Sequence, residues 1–409
     1  MTRAKITMTR LNGRLGRKAT NLDGVIGIIT TGVATGSLTL GVIYPLTGIK
    51  DLEDLGVTAA YDTTNTTLIH HHISRLFHRN PSAEVHLMVL AQTVTLAQMV
   101  DVANVNNAKK LLKDKNGRIK LLGVIRNPAS GYTPTLTTGL DGDVITAVEK
   151  AQALVTEEAG EFRYVHVIVE GRSFNGTAAS ALDLRTKAAP GVSVVIGADK
   201  DISAANALYN GYAAVGDFLG ILSKCAVSQD PGEIIEDFNL YDQSKGYFTN
   251  VALSSNLALE SYTDASLTTL DTKGYIFFDR IAGLSGAWVN DSHTCEVATS
   301  DYAYIENNRT INKMIELARF AILPKVKARL TVDDETGKLI DGERSNLEDI
   351  CEHALEAMKT DGDLSGGIQA YINPDVNLLA GATLNVELTA VPRAIGRAIT
   401  IFVGFNNPF

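Results

Sequence analysis

Cysteine is scarce. The chain has three in 409 residues, Cys225, Cys295 and Cys351, and no two stand at the C-x-x-C spacing of a redox or zinc motif. An odd, widely spaced set excludes a disulfide framework and fits unpaired thiols in a reducing compartment. Positive charge is also short. The 37 Lys and Arg against 46 Asp and Glu leave a net charge of -9, which argues against a nucleic-acid binder. The basic residues are bunched at the start, where Arg3, Lys5, Arg10, Arg14, Arg17 and Lys18 all precede the first acid, Asp23. The sequence does not open on a signal-type apolar segment, so synthesis and retention in the cytoplasm is the expectation. One uncharged stretch, residues 24–49, is long enough for a membrane span, but Gly27, Gly32, Gly36, Gly41, Pro45 and Gly48 interrupt it. Two buried strands, 25–30 and 38–44, joined by a Gly/Thr turn explain it better, and no direct membrane insertion is expected.

Catalytic signatures are missing as well. There is no G-x-x-x-x-G-K-[ST] loop, and Gly13-Arg14-Leu15-Gly16 and Gly24-Val25-Ile26-Gly27 both fall short of a dinucleotide fingerprint. The run Gly171-Arg172-Ser173-Phe174-Asn175-Gly176 imitates a nucleophile elbow, but its second glycine comes one place late. His70, His71 and His72 are consecutive in a helical segment, about 100° apart, and cannot converge on one ion. His78 lies two turns beyond His71. Asp333, Asp334, Glu335, Asp341 and Glu343 lack the spacing of a calcium loop and read as a solvated turn. No catalytic residue, cofactor or metal is expected. The alternative is a two-domain α/β enzyme of unknown substrate, hydrolytic if Ser173 serves as nucleophile.

What is present is a well-stocked globular composition, 45% hydrophobic and 20% charged, at a length that suits two or three domains. Apolar strands at 85–90, 119–125, 164–169 and 192–196 alternate with helical patterns at 68–77, 96–112, 144–155, 178–187 and 202–222. That alternation predicts a parallel-sheet α/β body over 25–230. An α+β domain over 231–394 follows, opening at Asp230-Pro231-Gly232. Its helix, 346–359, puts Leu347, Ile350, Cys351, Ala354, Leu355 and Met358 on one face, and Glu348, Glu352 and Glu356 form an i, i+4, i+8 row. Strands at 367–372 and 383–391 come next. At the two ends, 1–24 and 395–409, stand strands without an evident partner. Ala4, Ile6 and Met8 alternate with polar residues, and Ile399, Ile401, Val403 and Phe405 share one face. An unpaired apolar strand invites aggregation, and pairing with another copy's sheet removes the hazard.

Residues 267–330 carry the most distinctive order. Gly274-Tyr275-Ile276 opens a short strand, a Gly-rich crossing runs from Gly283 to Trp288, and Tyr304-Ile305-Glu306-Asn307-Asn308-Arg309 leads into a helix. Toward the end, Gly366-Gly367-Ile368, Asn377, the alternating run 384–388, Pro392 and the strand 399–403 follow in turn. This succession resembles the contractile tail sheath proteins of phages and contractile injection machines. It departs from their commoner form, which has an acidic-Gly-Ile-Asn approach to the strand and a Gly-x-Arg-Thr step after the Trp. That places the chain in a compact, divergent branch.

The resemblance implies a sheath-core domain with exchanged N- and C-terminal β-arms. The arms would be Ala4, Ile6, Met8 and Ile399, Ile401, Val403, Phe405. The receiving sheet would be Ile368, Ala370, Leu384, Val386 and Leu388, with hinges at Gly13, Gly16 and Gly396. Glu348, Glu352 and Glu356 become candidates to face an inner tube. It also implies a helical homopolymer around a tail tube protein, with baseplate and terminator proteins as further partners. Assembly would occur in the bacterial cytoplasm before incorporation into a phage tail or contractile particle. A tube or baseplate-wedge subunit is a third reading, against which the chain's size and mixed α/β pattern weigh.

Overall fold

The computed structural model describes residues 22–381 and 383–404. The chain divides into two compact units. The first takes the described residues up to Ala226 together with Pro231–Asn312, and the second takes Val227–Asp230 and the residues from Lys313 onward. The division expected at residue 230 therefore falls near 312 instead. The reason is a strand that the sequence placed in the wrong domain: Tyr275–Ile276 completes the sheet of the first unit.

That sheet has seven strands: β1 (Ile26–Gly32), β2 (Ile43–Leu46), β3 (Val85–Ala91), β4 (Leu121–Val124), β5 (His166–Glu170), β6 (Val192–Val195) and β7 (Tyr275–Ile276). Their order is β7-β6-β5-β4-β1-β3-β2. All neighbours are parallel except β2, which runs antiparallel at the edge beside β3. β1 is central and buried at all seven positions, which accounts for the first part of the uncharged stretch 24–49. β2 is the second strand expected there, shifted toward Leu46 and only partly buried. Pro45, which lacks a backbone donor, sits in this edge strand, where such a residue is tolerated.

Helices α1 (Ile69–Arg79), α2 (Ala108–Lys115), α3 (Gly142–Gly160) and α4 (Val215–Lys224) cover both faces. A side chain at Gly27 would meet Leu111 of α2 at 3.2 Å, whereas one at Gly123 would meet Leu219 of α4 at 2.5 Å, so α2 and α4 lie on opposite sides. α1 and α4 approach closely through two glycines. A Cβ at Gly216 would stand 2.3 Å from the His72 carbonyl oxygen, and one at Gly220 2.7 Å from Arg79 Cβ. His72 is buried in this contact and its Nδ1 accepts from the Gly216 N–H at 3.3 Å.

Three expected helices are broken. The 96–112 pattern is a short helix, Leu96–Met99, and then α2. A capping box between Thr95 and Gln98 starts the first piece, and Asp101 and Asn104 accept from Ala103 and Asn106 N–H to turn the chain between them. Over 202–222 the chain forms Lys200–Ala205 and α4, separated at Asn206, whose side chain caps a 3₁₀ turn. Over 178–187 only two 3₁₀ turns form, Ala178–Ser180 and Leu184–Lys187.

Helix α5 (Ile305–Ile322) contains the division between the units. The second unit is built on α6 (Asp341–Thr360) and the antiparallel hairpin β8 (Leu364–Ile372) and β9 (Val386–Pro392). One of its buried clusters, Leu339, Leu347 and Ile372, is surrounded by partly buried Ile322, Leu330, Leu378, Leu384 and Val386.

Candidate assembly interface

In α6 the apolar stripe is Leu347, Cys351, Leu355 and Met358, each at most 3% exposed. It packs under β8, whose alternate residues Leu364, Gly366, Ala370 and Ile372 are buried. The 20-residue helix thus solves its amphipathic pattern against one strand of the hairpin. A bulge at Gly366 and Gly367, with φ of 135° and 61°, kinks β8 near its start. A side chain at Gly367 would be strained and would meet Val391 Cγ2 at 2.7 Å.

The acidic row of α6 has an unexpected use. Glu348 Oε1 accepts from the Ile372 N–H at 2.8 Å, and Glu352 Oε1 accepts from the Ala370 N–H at 2.8 Å. Arg344 pairs with Glu348 at 3.2 Å. Charge-assisted bonds of this kind are worth about 1.5–3 kcal/mol each, more than the few tenths lost to repulsion along the row. Two of the three residues expected to face a tube are therefore turned to the edge of β8, and Glu356 alone is exposed. The signal was in the sequence: a carboxylate row beside an apolar stripe can reach the backbone of the strand that the stripe covers.

The expected receiving residues share one face of the hairpin. Ala370 is buried, and Ile368, Leu384, Val386 and Leu388 are partly buried. Beside them Ile322, Val326, Leu330, Leu347, Leu384 and Val386 line an apolar groove of about 550 Å³. Beyond β9, Arg393 Nε donates to the Gly362 carbonyl at 2.8 Å and Arg397 pairs with Asp230 at 3.2 Å. After Arg397 the chain lies open. Ile399, Ile401, Phe402 and Val403 are 81, 78, 94 and 91% exposed, and 399–403 is in no strand. At Gly396 a side chain would meet nothing within 4 Å, so sterics do not demand glycine there. Ala4, Ile6, Met8, Gly13, Gly16 and Phe405 lie outside the described residues.

In the first unit, ligands of such sheets bind where the strand order reverses, beyond the carboxyl ends of β1 and β4. Here that crevice is filled by the chain itself. Asn127 Nδ2 donates to the Thr31 carbonyl at 2.9 Å and the Thr30 hydroxyl at 3.1 Å, and its Oδ1 accepts from the Leu68 N–H at 2.8 Å. Glu170, fully buried, accepts from Arg172 at 2.9 Å and from the N–H groups of Arg126 and Ala213. Burial pushes its carboxyl up from the ordinary range, against the pull of Arg172. Arg126 pairs with Asp143 at 2.9 Å, and Asp143 accepts from the N–H groups of Leu96 and Ala97. These groups pair with one another, although Arg126 Nε and Arg172 Nε find no partner among the described residues. Ser173 has a left-handed φ of 55°, but no hydrogen bond joins its hydroxyl to a histidine or carboxylate among the described residues.

The distinctive block around residue 300 is structural. Arg309 is 5% exposed and donates to the carbonyls of Leu222, Cys225 and Ala226 at 3.2–3.3 Å, closing the end of α4, and to that of Asp23. Lys273 donates to the carbonyls of Ala178, Ala179 and Ala181, and Gly274 turns into β7 with φ 83°. His293 bridges Arg185 at 2.7 Å and Asp271 at 2.8 Å. The motif therefore anchors the last strand and its helix to the sheet.

The sequence matches the N-terminal domain of DUF2586 over residues 3–293 and its C-terminal domain over 301–409. The chain belongs to the DUF2586 family. A comparison with curated proteins finds no match. Among solved structures, this DUF2586 chain is similar to one in the anti-feeding prophage baseplate (TM-score 0.63, 12% identity, 99% of this chain and 100% of that one). It is similar to one in the contracted helical sheath of the same particle (0.63, 13%, 99% of each). A third is in the contracted PVC sheath complex of an extracellular contractile injection system (0.60, 11%, 99% and 98%). At these identities the likeness shows the fold, and it agrees with the resemblance to contractile sheath proteins that the sequence carries.

Proposed function

We propose that this DUF2586 chain is the structural subunit of a contractile sheath, polymerising helically around an inner tube and shortening to drive that tube through a target envelope. The observation that carries this reading is the fold: it matches sheath chains along nearly its entire length, not in one portable domain. The filled crevice of the sheet supports a body built for rigidity over the enzyme alternative with Ser173.

In this reading, residues 1–24 and 395–409 are arms that complete sheets of neighbouring copies, and the sheath-core lies within 231–394, after the α/β body. Ala4, Ile6 and Met8 at one end and Ile399, Ile401, Val403 and Phe405 at the other are the donated strands. Ile368, Ala370, Leu384, Val386 and Leu388 form the receiving face. A head-to-tail contact of this type propagates into a helix. Gly13, Gly16 and Gly396 supply backbone freedom so that subunits rotate while linked, and the extended form is a kinetic trap that relaxes on triggering. Tube, baseplate and terminator proteins are the further partners. Glu356 remains the tube-facing candidate of its row, because a screened polar contact holds the tube and also releases it. Assembly takes place in the bacterial cytoplasm, and no helix among the described residues is long and apolar enough to cross a membrane.

Negative-stain microscopy of the purified protein tests the proposal: hollow tubules are expected, and discrete particles alone would favour the enzyme. Removing residues 1–15 should leave a folded monomer that forms no tubules. Normal tubules from that truncation would refute the role of the N-terminal arm.

A further inference from the structure

The hairpin β8–β9 has two edges, and they are not equivalent. Backbone groups of an antiparallel strand point alternately to its two sides. In the register Ala370↔Leu388 and Ile372↔Val386, the N–H groups of Ala370 and Ile372 face away from β9. Both are already taken, by Glu352 and Glu348 of α6. By the same alternation Val386 and Leu388 present their backbone groups to the opposite side, beyond β9. Among the described residues the sheet ends there.

We infer that strand addition to this hairpin is one-sided: the carboxylates of Glu348 and Glu352 close the β8 edge, and the β9 edge takes the 399–403 ribbon of a second copy. This rests on the arm-exchange reading above and specifies which edge it uses. Three observations select the occupant. The ribbon is 78–94% exposed at its large apolar residues and belongs to no strand among the described residues. Its alternate residues Ile399, Ile401 and Val403 repeat the period of half-buried Leu384, Val386 and Leu388, of which the first two line the apolar groove. Its connector is tied at both ends, by Arg393 to the Gly362 carbonyl and by Arg397 to Asp230. A ribbon so tied forms no ladder with its own β9, whose outer edge is open among the described residues. Closing one edge with fixed carboxylates is also a means of preventing unregulated sheet growth before assembly.

Disulfide trapping in assembled full-length protein tests the inference. Phe402→Cys is combined with Glu387→Cys or Thr389→Cys on the solvent face of β9, or with Gln369→Cys or Tyr371→Cys on that of β8. Adjacent strands lie about 4.8 Å apart, within disulfide reach, and strands two places apart do not. Ladders of linked oligomers are expected with the β9 positions and none with the β8 positions. Linkage at the β8 positions instead would overturn one-sided addition while leaving arm exchange intact. Tubules that link at neither edge would sink arm exchange and this inference together. In a second arm, Glu348→Ala with Glu352→Ala should open the β8 edge and yield linkage at Gln369→Cys or Tyr371→Cys. An unchanged linkage pattern would refute the closing role of the carboxylates, with circular dichroism confirming that the helix is retained.

Discussion

The two units of this chain solve opposite problems. The first buries a continuous core across a seven-stranded sheet and pairs its buried charges internally, with Arg75–Asp199 at 2.7 Å and Arg79–Asp217 at 2.9 Å. The second buries a smaller set of apolar residues, among them Leu347, Leu355, Met358, Leu364 and Ile372. It holds about a quarter of the chain yet about half of the large apolar side chains exposed among the described residues, including Phe320, Val326 and Leu379. A unit that finishes its own core is suited to transmit force as a rigid body. One that leaves apolar surface and, among the described residues, an open strand edge is suited to be finished by other molecules.

Sharpening that contrast begins with the buried charges. Asp199 accepts from Arg75 and from the Phe248 N–H, and both Asp199 and Arg75 are at most 3% exposed. Asp199→Ala strands a buried guanidinium, so a loss of about 3–5 kcal/mol is expected in chemical denaturation. In the second unit Leu355→Ala should cost about 2–3 kcal/mol. Hydrogen exchange should show faster opening of α6 and β8 with β1 and β4 unchanged. Equal acceleration in both units would contradict a local effect of this substitution.

Acid should strike the first unit. Burial depresses the pKa of His166 and of His71 from 6.5 to about 3, and lowers that of His72 as well. A depressed pKa means that the unfolded chain binds more protons. The stabilisation is therefore complete above pH 6.5 and is lost as pH falls toward 3, by up to about 1.4 kcal/mol per pH unit for each histidine. Denaturation midpoints measured from pH 7 to pH 4 should fall, and His166→Asn should flatten that decline. The smallest thermodynamic effect is expected for Ile401→Asp, within about 0.5 kcal/mol of the parent because the site is solvent-exposed. Tubule formation should nevertheless be lost.

Much of this layout is legible in the sequence because it rests on local periodicity. The central strands and α6 announce themselves by apolar runs and a helical stripe, and the Arg309 block by its order of residues. What is not legible depends on partners far along the chain. Tyr275–Ile276 gives no sign that it pairs with β6, and this moves the expected boundary from 230 to near 312. The continuous helices expected at 96–112 and 202–222 fail because Asp101, Asn104 and Asn206 bond to nearby backbone, a competition that apolar spacing does not reveal. The row Glu348, Glu352, Glu356 was visible, but its use was not, since capping a strand edge requires knowing which edge lies beside it.

A cryo-EM reconstruction of the assembled polymer is the most direct test that this chain is completed by its own copies. The expected density shows residues 399–403 hydrogen-bonded to β9 of an adjacent subunit. A reconstruction in which 399–403 returns to its own subunit, with no sheet crossing between copies, would contradict it.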